Sequence, residues 1–177
     1  MKKDIKIAVS GKSGCGNTTV SKIVADYLGL KFINFTFRSL AMERGLTLHE
    51  VLALAAKDDS WDKEVDRRQV ELARESGGCV LGSRLAIWML EEADLKVYLT
   101  ASAETRAARI AGREGEKFEA VASFTAERDR QDRNRYIHIY DIDNDKYDFA
   151  HIIIATDNLA PDEIAQKIIT EAEKILQ

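Results

Sequence analysis

The sequence predicts an α/β fold of three layers, a parallel β-sheet with helices on both faces, and three observations predict it. Apolar runs of strand length recur at residues 5–9, 32–35, 79–81, 95–99 and 152–155. The segments between them carry apolar residues at helical spacing. Two of those segments are longer than a simple crossover needs, which adds helical insertions to a βαβ series whose parallel strands are covered on both sides.

In chain order, the first run is followed by a glycine-rich stretch and then by Val20, Ile23, Val24, Tyr27 and Leu28, which share one helical face that Gly29 ends. After the second run, residues 36–77 read as helix, with a break at Arg44, Gly45 and Leu46. A new start follows at Thr47, where Glu50 completes a capping box. The third and fourth runs enclose a turn that holds Ser83, Arg84 and Trp88, and a second helical excursion spans residues 102 to about 140, broken near Gly115. The fifth run leads through Pro161 and Asp162 into a last helix with Ile164, Ile168, Ile169 and Ile175 on one face. The expected organisation is a single domain with a core at 1–35, 78–101 and 148–177, a first insertion at 36–77 and a second at 102–147. Both insertions are expected over the C-terminal edge of the sheet, where open α/β sheets bind ligands.

At 177 residues, 45% hydrophobic and 32% charged, the chain is too apolar for disorder and long enough for one core. No apolar run approaches the roughly 18 residues of a membrane span, and no period of roughly 20–50 residues repeats. The opening charges lead straight into the first apolar run, without the features of a secretory signal. Cys15 and Cys79 are isolated and lack metal-ligand spacing, so a cytoplasmic setting is expected. A formal net charge of -4 argues against a nucleic-acid binder and leaves room for a local anion site.

That anion site is expected in the stretch Gly11, Lys12, Ser13, Gly14, Cys15, Gly16, Asn17, Thr18, Thr19, which follows a strand and opens a helix. Glycines let successive backbone N–H groups turn inward onto a phosphate, the helix N-terminus adds partial positive charge, and a first-turn hydroxyl can meet Mg²⁺. Gly11, Gly16 and Thr18 match G-x-x-x-x-G-K-[ST] except at the lysine, where Asn17 stands. Asn17 can donate a hydrogen bond to a phosphate oxygen but brings no charge, and Lys12, five residues upstream, is the candidate stand-in. An ordinary glycine-rich βα turn is the competing reading.

Seven of the thirteen arginines fall between Arg106 and Arg135. Arg106, Arg109 and Arg113 share a helical face, and Arg128, Arg130, Arg133 and Arg135 follow on the next helix. A planar guanidinium binds phosphate oxygens bidentately, so a lid over a triphosphate explains arginine over lysine; a solvated helix pair laced with Glu and Asp is the alternative. In the first insertion Asp66, Arg67, Arg68 and Gln69 form a second constellation, with Arg38 before it and Arg84 after the third strand. A carboxylate and an amide can read a base edge and arginines can hold a monophosphate, whereas a surface helix of ion pairs is the plainer possibility. Trp61 and Trp88 read as core or cap aromatics.

These residues resemble the short, archaeal-like cytidylate kinases of the nucleoside monophosphate kinase family, nearly end to end. The resemblance is carried by the glycine loop, by Phe37 to Ala41, by Asp62 to Gln69, by Ser83 to Ala86 with Trp88, and by Glu127, Arg128 and Arg133 to Tyr136; the Asp-Arg-Arg-Gln run is the most specific. It implies a P-loop NTPase-like sheet of five parallel strands with a nucleotide-monophosphate-binding insertion and an arginine lid. It also implies ATP and Mg²⁺ as co-reactants, CMP or dCMP as acceptor, and a monomer acting on free nucleotides in the cytoplasm. On that template the Gly11 to Thr19 loop holds the ATP phosphates and Thr18 meets the metal. Arg38, Asp66, Arg67, Gln69 and Arg84 face the acceptor, and Arg109, Arg113, Arg128 and Arg133 close over the transferred group. The sequence departs from the family pattern at Asn17, at Gly82 in place of a glutamate, at Ile87 in place of a glycine and at His151 in place of an aspartate. A nucleotide sensor with little turnover and a kinase of another small metabolite are the alternatives.

Overall fold

A computed structural model of the chain describes residues 4–177; the opening Met1, Lys2 and Lys3, which the sequence assigns to the core, lie outside them. The elements run β1 (Lys6–Gly11), α1 (Asn17–Leu28), β2 (Lys31–Ile33), α2 (Phe37–Arg44), α3 (Leu48–Ala55), α4 (Ser60–Glu75), β3 (Cys79–Gly82), α5 (Ala86–Met89), β4 (Leu95–Thr100), α6 (Ala103–Glu114), α7 (Phe118–Tyr140), β5 (Ile152–Ala155) and α8 (Pro161–Leu176). All strand pairs are parallel in the order β2-β3-β1-β4-β5. Parallel neighbours need crossovers, and helices supply each of them.

Alternation along β1 separates the two faces of the sheet. Ile5, Ile7 and Val9 pack with Val20 and Val24 of α1 and with Ile164, Ile168 and Ile169 of α8. Ala8 faces the other way, toward Val70 and Ala73 of α4 and Ala86 and Ile87 of α5. The sheet is therefore the middle of three layers, and each fully buried large aliphatic adds about 1.5–3 kcal/mol relative to exposure. Trp88 meets Tyr98 and Phe149 edge-on, while Tyr147 stacks on Tyr98 at 3.8 Å.

Helix ends fall where the sequence marks them. Left-handed glycines close α1, α2 and α6 at Gly29, Gly45 and Gly115, and Thr47 and Glu50 form the reciprocal capping box of α3. The second strand differs from expectation: it stops at Ile33, because Phe35 turns out of the sheet to pack with Leu40 and Val65. Each helical excursion thus has a small apolar cluster of its own, the second formed by Ala107, Ile110, Ala111 and Val121 between α6 and α7. Ile87 is fully buried, and its backbone N–H donates to the Ser10 hydroxyl at 3.1 Å. His151 accepts from the backbone N–H of Lys96 at 3.1 Å, joining β4 to the start of β5. Among the described residues no helix is long and apolar enough to cross a membrane.

Candidate active site

One cleft of about 840 Å³ lies beyond the C-terminal ends of β1 and β3. Its floor is the loop between β1 and α1. Gly14 and Gly16 hold φ of 86° and 91°, which side chains resist, and a Cβ at Gly14 would stand 2.8 Å from the Arg106 carbonyl oxygen. Gly16 is the N-cap of α1 and supplies no side chain, so the first N–H groups of the helix have no side-chain cap and face an anion's side of the loop. All nine residues from Gly11 to Thr19 line the cleft.

Asn17 does something other than what the sequence suggests. Its amide nitrogen donates to the carbonyls of Val9 at 3.0 Å and Ser83 at 3.2 Å, and its oxygen accepts from Ser21 at 3.0 Å. Both amide protons are spent, so none remains for a phosphate. Asn17 instead ties the start of α1 to the ends of β1 and β3. Gly82 belongs to the same arrangement: a Cβ there would lie 2.8 Å from the Ser21 hydroxyl and 3.0 Å from the Asn17 amide oxygen. The side chains of Asn17 and Ser21 fill the space a larger residue at 82 would need.

The second excursion braces the loop. Buried Arg106 donates to the carbonyl of Ser13 at 3.1 Å and pairs with Asp129 at 2.6 Å. Arg109 donates to the carbonyl of Gly14 at 3.2 Å and to the Thr156 hydroxyl and carbonyl at 3.0 and 2.6 Å. Lys12 reaches Asp145, in the segment after α7, at 2.7 Å. Cys15 is buried beneath the loop, and that burial pushes its thiol up; neither cysteine forms a disulfide.

Across the cleft, α4 and α7 contribute residues on matching helical faces. Asp62, Asp66 and Gln69 stand at i, i+4 and i+7 on α4, and Arg128, Asp132 and Arg135 at the same spacing on α7. Buried Asp132 gathers three guanidinium groups: Arg84 at 3.4 Å, Arg128 at 4.0 Å and Arg135 at 3.2 Å. Arg84 also donates to the Ser13 hydroxyl at 2.6 Å, so it spans loop and acceptor wall. Burial and the neighbouring Arg84 charge hold Arg128 below the ordinary arginine range. Three buried polar atoms on this wall lack a hydrogen-bond partner: Asp62 Oδ2, Gln69 Oε1 and Arg135 Nε. Burial raises the carboxyl of Asp62, and burial above all pushes Asp66 up to about 6.

Two expected residues stand elsewhere. Arg67 leaves the Asp66–Gln69 face and pairs with Glu71 on the outside of α4. Arg133 lies five residues after Arg128, roughly 140° around the helix, and forks onto Asp143 with two contacts of 2.8 Å. Arg135 holds the cleft position instead. Arg38 and Arg113 line the cleft while remaining exposed. The sequence reading leaves out of the site Asp62, Arg135 and Tyr136, which line the cleft, and Asp132, which pairs with its arginines; helical phase on α4 and α7 is the signal that finds them.

A central parallel sheet, a glycine loop opening a helix, and arginine-bearing helices over the strand ends define the phosphate-binding α/β proteins that include small-molecule and nucleotide kinases. Within that class, residues 6–158 match the model of the cytidylate kinase-like family, and the chain belongs to that family. It is 44% identical over 174 residues to cytidylate kinase 2 of Borreliella afzelii, covering 96% of this chain and 97% of that one. It is 42% identical over 167 residues to a cytidylate kinase of Pyrococcus horikoshii, covering 93% and 86% of the two chains. The fold is also that of a shikimate kinase from Acinetobacter baumannii, with TM-score 0.64 at 20% identity over 98% of this chain and 95% of that one.

Proposed function

We propose that this protein transfers the γ-phosphoryl group of ATP to the phosphate of CMP or dCMP. An acceptor phosphate oxygen attacks the γ-phosphorus, the bond to the β–γ bridging oxygen breaks, and ADP leaves with CDP or dCDP. The observation that carries this reading is the cleft itself: an uncapped helix N-terminus on one wall faces three arginines and three unpartnered polar atoms on the other. Such a cleft suits two phosphorylated ligands meeting end to end, and phosphoryl transfer asks mainly for positioning and charge stabilisation.

In this reading the Gly11 to Thr19 loop receives the ATP phosphates, and Arg109 keeps the loop in shape. Arg38, Arg84 and Arg135 receive the acceptor phosphate, Asp66 and Gln69 face its base, and Arg113 and Arg128 close toward the moving phosphoryl group. Among the described residues no three His, Cys, Asp or Glu gather to hold a metal. Mg²⁺ therefore fits as a companion of the triphosphate, beside the exposed Thr18 hydroxyl, where it would neutralise phosphate charge. The proposal includes a monomer acting on free nucleotides in the cytoplasm, since one chain supplies loop, acceptor wall and arginines. It also treats α2 to α4 as the acceptor-binding insertion and α6 to α7 as the lid.

An ADP-release assay across CMP, dCMP, UMP, AMP and GMP tests the assignment. The expected result is preference for CMP or dCMP. Comparable turnover of AMP would overturn it, and tight nucleotide binding without turnover would establish the sensor reading instead.

A further inference from the structure

At the last residue of α7, Tyr140 donates its phenolic hydrogen to Oδ2 of Asp66 at 2.5 Å. The bond joins two elements 74 residues apart in sequence, and the backbone fixes where the tyrosine is delivered. Asp141 caps the helix in the left-handed region at φ 57°, with its N–H on the carbonyls of Ile137 and Tyr136. Among the described residues, no group donates to Asp66 Oδ1. On the same face of α4, Gln69 and Asp62 each keep a buried oxygen without a partner. This wall therefore has unmet acceptors and one carboxylate held from behind by a hydroxyl.

We infer that Tyr140 is a positioning residue for base choice: by donating to Oδ2 it keeps Asp66 an acceptor-only carboxylate whose free Oδ1 receives the exocyclic amino group of an aminopyrimidine. The inference rests on the reading of this wall as the acceptor-base site. An ionised carboxylate accepts but cannot donate, so it matches an amino group and opposes a carbonyl; a protonated carboxyl, with an O–H to give, loses that discrimination. The tyrosine matters because the surroundings press toward protonation. Burial raises Asp66 most, the Tyr140 hydrogen bond lowers it, the Asp62 charge on the same helix raises it, and Arg135 from α7 lowers it. Tyr136 of α7 is neutral and itself raised by burial, and Arg84 is engaged by Ser13 and Asp132. With Asp66 at about 6, the hydroxyl of Tyr140 keeps the carboxylate ionised at neutral pH.

The test is kcat/KM for CMP and for UMP between about pH 5.5 and 8.5 in the wild type, in Tyr140→Phe and in Asp66→Asn. The two acceptors share the phosphate ionisation, so their ratio isolates the base. In the wild type the CMP:UMP ratio should shrink as pH falls through about 6. In Tyr140→Phe that fall should begin about one pH unit higher, so that discrimination near pH 7 drops several-fold. In Asp66→Asn the ratio should be low and flat with pH. A merely structural role for Tyr140 predicts equal losses on both substrates with no movement of the profile, and that result overturns the inference. So does a pH-independent ratio in the wild type, which decides the matter even if the tyrosine variant does not fold. Wild-type protein inactive on CMP at every pH removes the CMP assignment itself, whereas good CMP turnover with pH-independent discrimination removes only the role of Tyr140.

Discussion

The side chains that brace the glycine loop spend their hydrogen bonds inside the protein, whereas on the facing surfaces of α4 and α7 buried side-chain atoms stay without one. Asn17, Arg106 and Arg109 all spend their donors on loop and strand carbonyls or on buried partners. Asp62, Gln69 and Arg135 keep buried atoms without a hydrogen bond, although Arg135 Nε stands 3.4 Å from Asp62 Oδ1. Because an unsatisfied buried polar group costs about 1–3 kcal/mol, the second wall gives up stability that a ligand can restore. The contrast separates a loop shaped before any nucleotide arrives from a wall completed by one.

The variants with the largest expected effect remove arginines paired with Asp132. Arg84→Ala removes the side chain that touches both Ser13 and Asp132, and Arg128→Ala removes a cation from the same carboxylate. Each should lower kcat about 100-fold, with a smaller change in KM, because charge develops on the moving group only in the transition state. Steady-state kinetics showing a rise in KM alone would confine both to ground-state binding.

Damage to the prebuilt wall should read out as stability. Asn17→Ala deprives the Ser83 carbonyl and the Ser21 hydroxyl of their partner and should cost about 1–3 kcal/mol in urea unfolding. Asn17→Lys should not raise turnover, since the new ammonium would have to abandon the tie between β1 and β3. A gain of tenfold or more would mean that the missing charge, and not the tie, governs this position.

The incomplete wall should behave in the opposite sense. Asp66 has a folded pKa of about 6, above the ordinary carboxylate value. Its protonation stabilises the fold fully below the unfolded pKa, and that contribution is lost as pH rises through about 6. Asp66→Asn escapes the loss, so the variant should be more stable than wild type near pH 7.5 by about 1–2 kcal/mol while losing base discrimination. The difference should close toward pH 4, roughly the unfolded value. Equal stabilities at both pH values would show that Asp66 bears no burial penalty.

Smallest of all is Lys12→Ala. The Lys12–Asp145 pair is partly exposed, and its loss should change stability by less than about 1 kcal/mol. A rise in KM for ATP without loss of stability would show that Lys12 exchanges Asp145 for phosphate.

Much of this architecture was legible as pattern. Strand runs, glycine breaks and the Thr47 capping box are local signals, and the glycine loop is nearly so. Helical phase is a further signal in the sequence: the rule that groups Arg106, Arg109 and Arg113 on α6 also groups Arg128 with Asp132 and Arg135 on α7, and excludes Arg133. The partners of Asn17 lie beyond any such rule. Ser83 is 66 residues away, and only the pairing of β1 with β3 brings its carbonyl within reach. Tyr140 meets Asp66 for a similar reason, because the contact depends on how α7 crosses α4.

The packing of Gly82 against Ser21 and Asn17 also constrains the order in which substitutions can accumulate. A methyl or a glutamate at 82 meets the Ser21 and Asn17 side chains on α1, so either displaces them when it is introduced first. Once positions 17 and 21 hold residues that vacate the space, a carboxylate at 82 becomes admissible, and a return of asparagine and serine is then blocked in turn. Exchange at positions 17, 21 and 82 is in this way governed by a steric gate that acts in both directions. Grafting single residues from a relative across that gate will sample mainly the clash between the two arrangements.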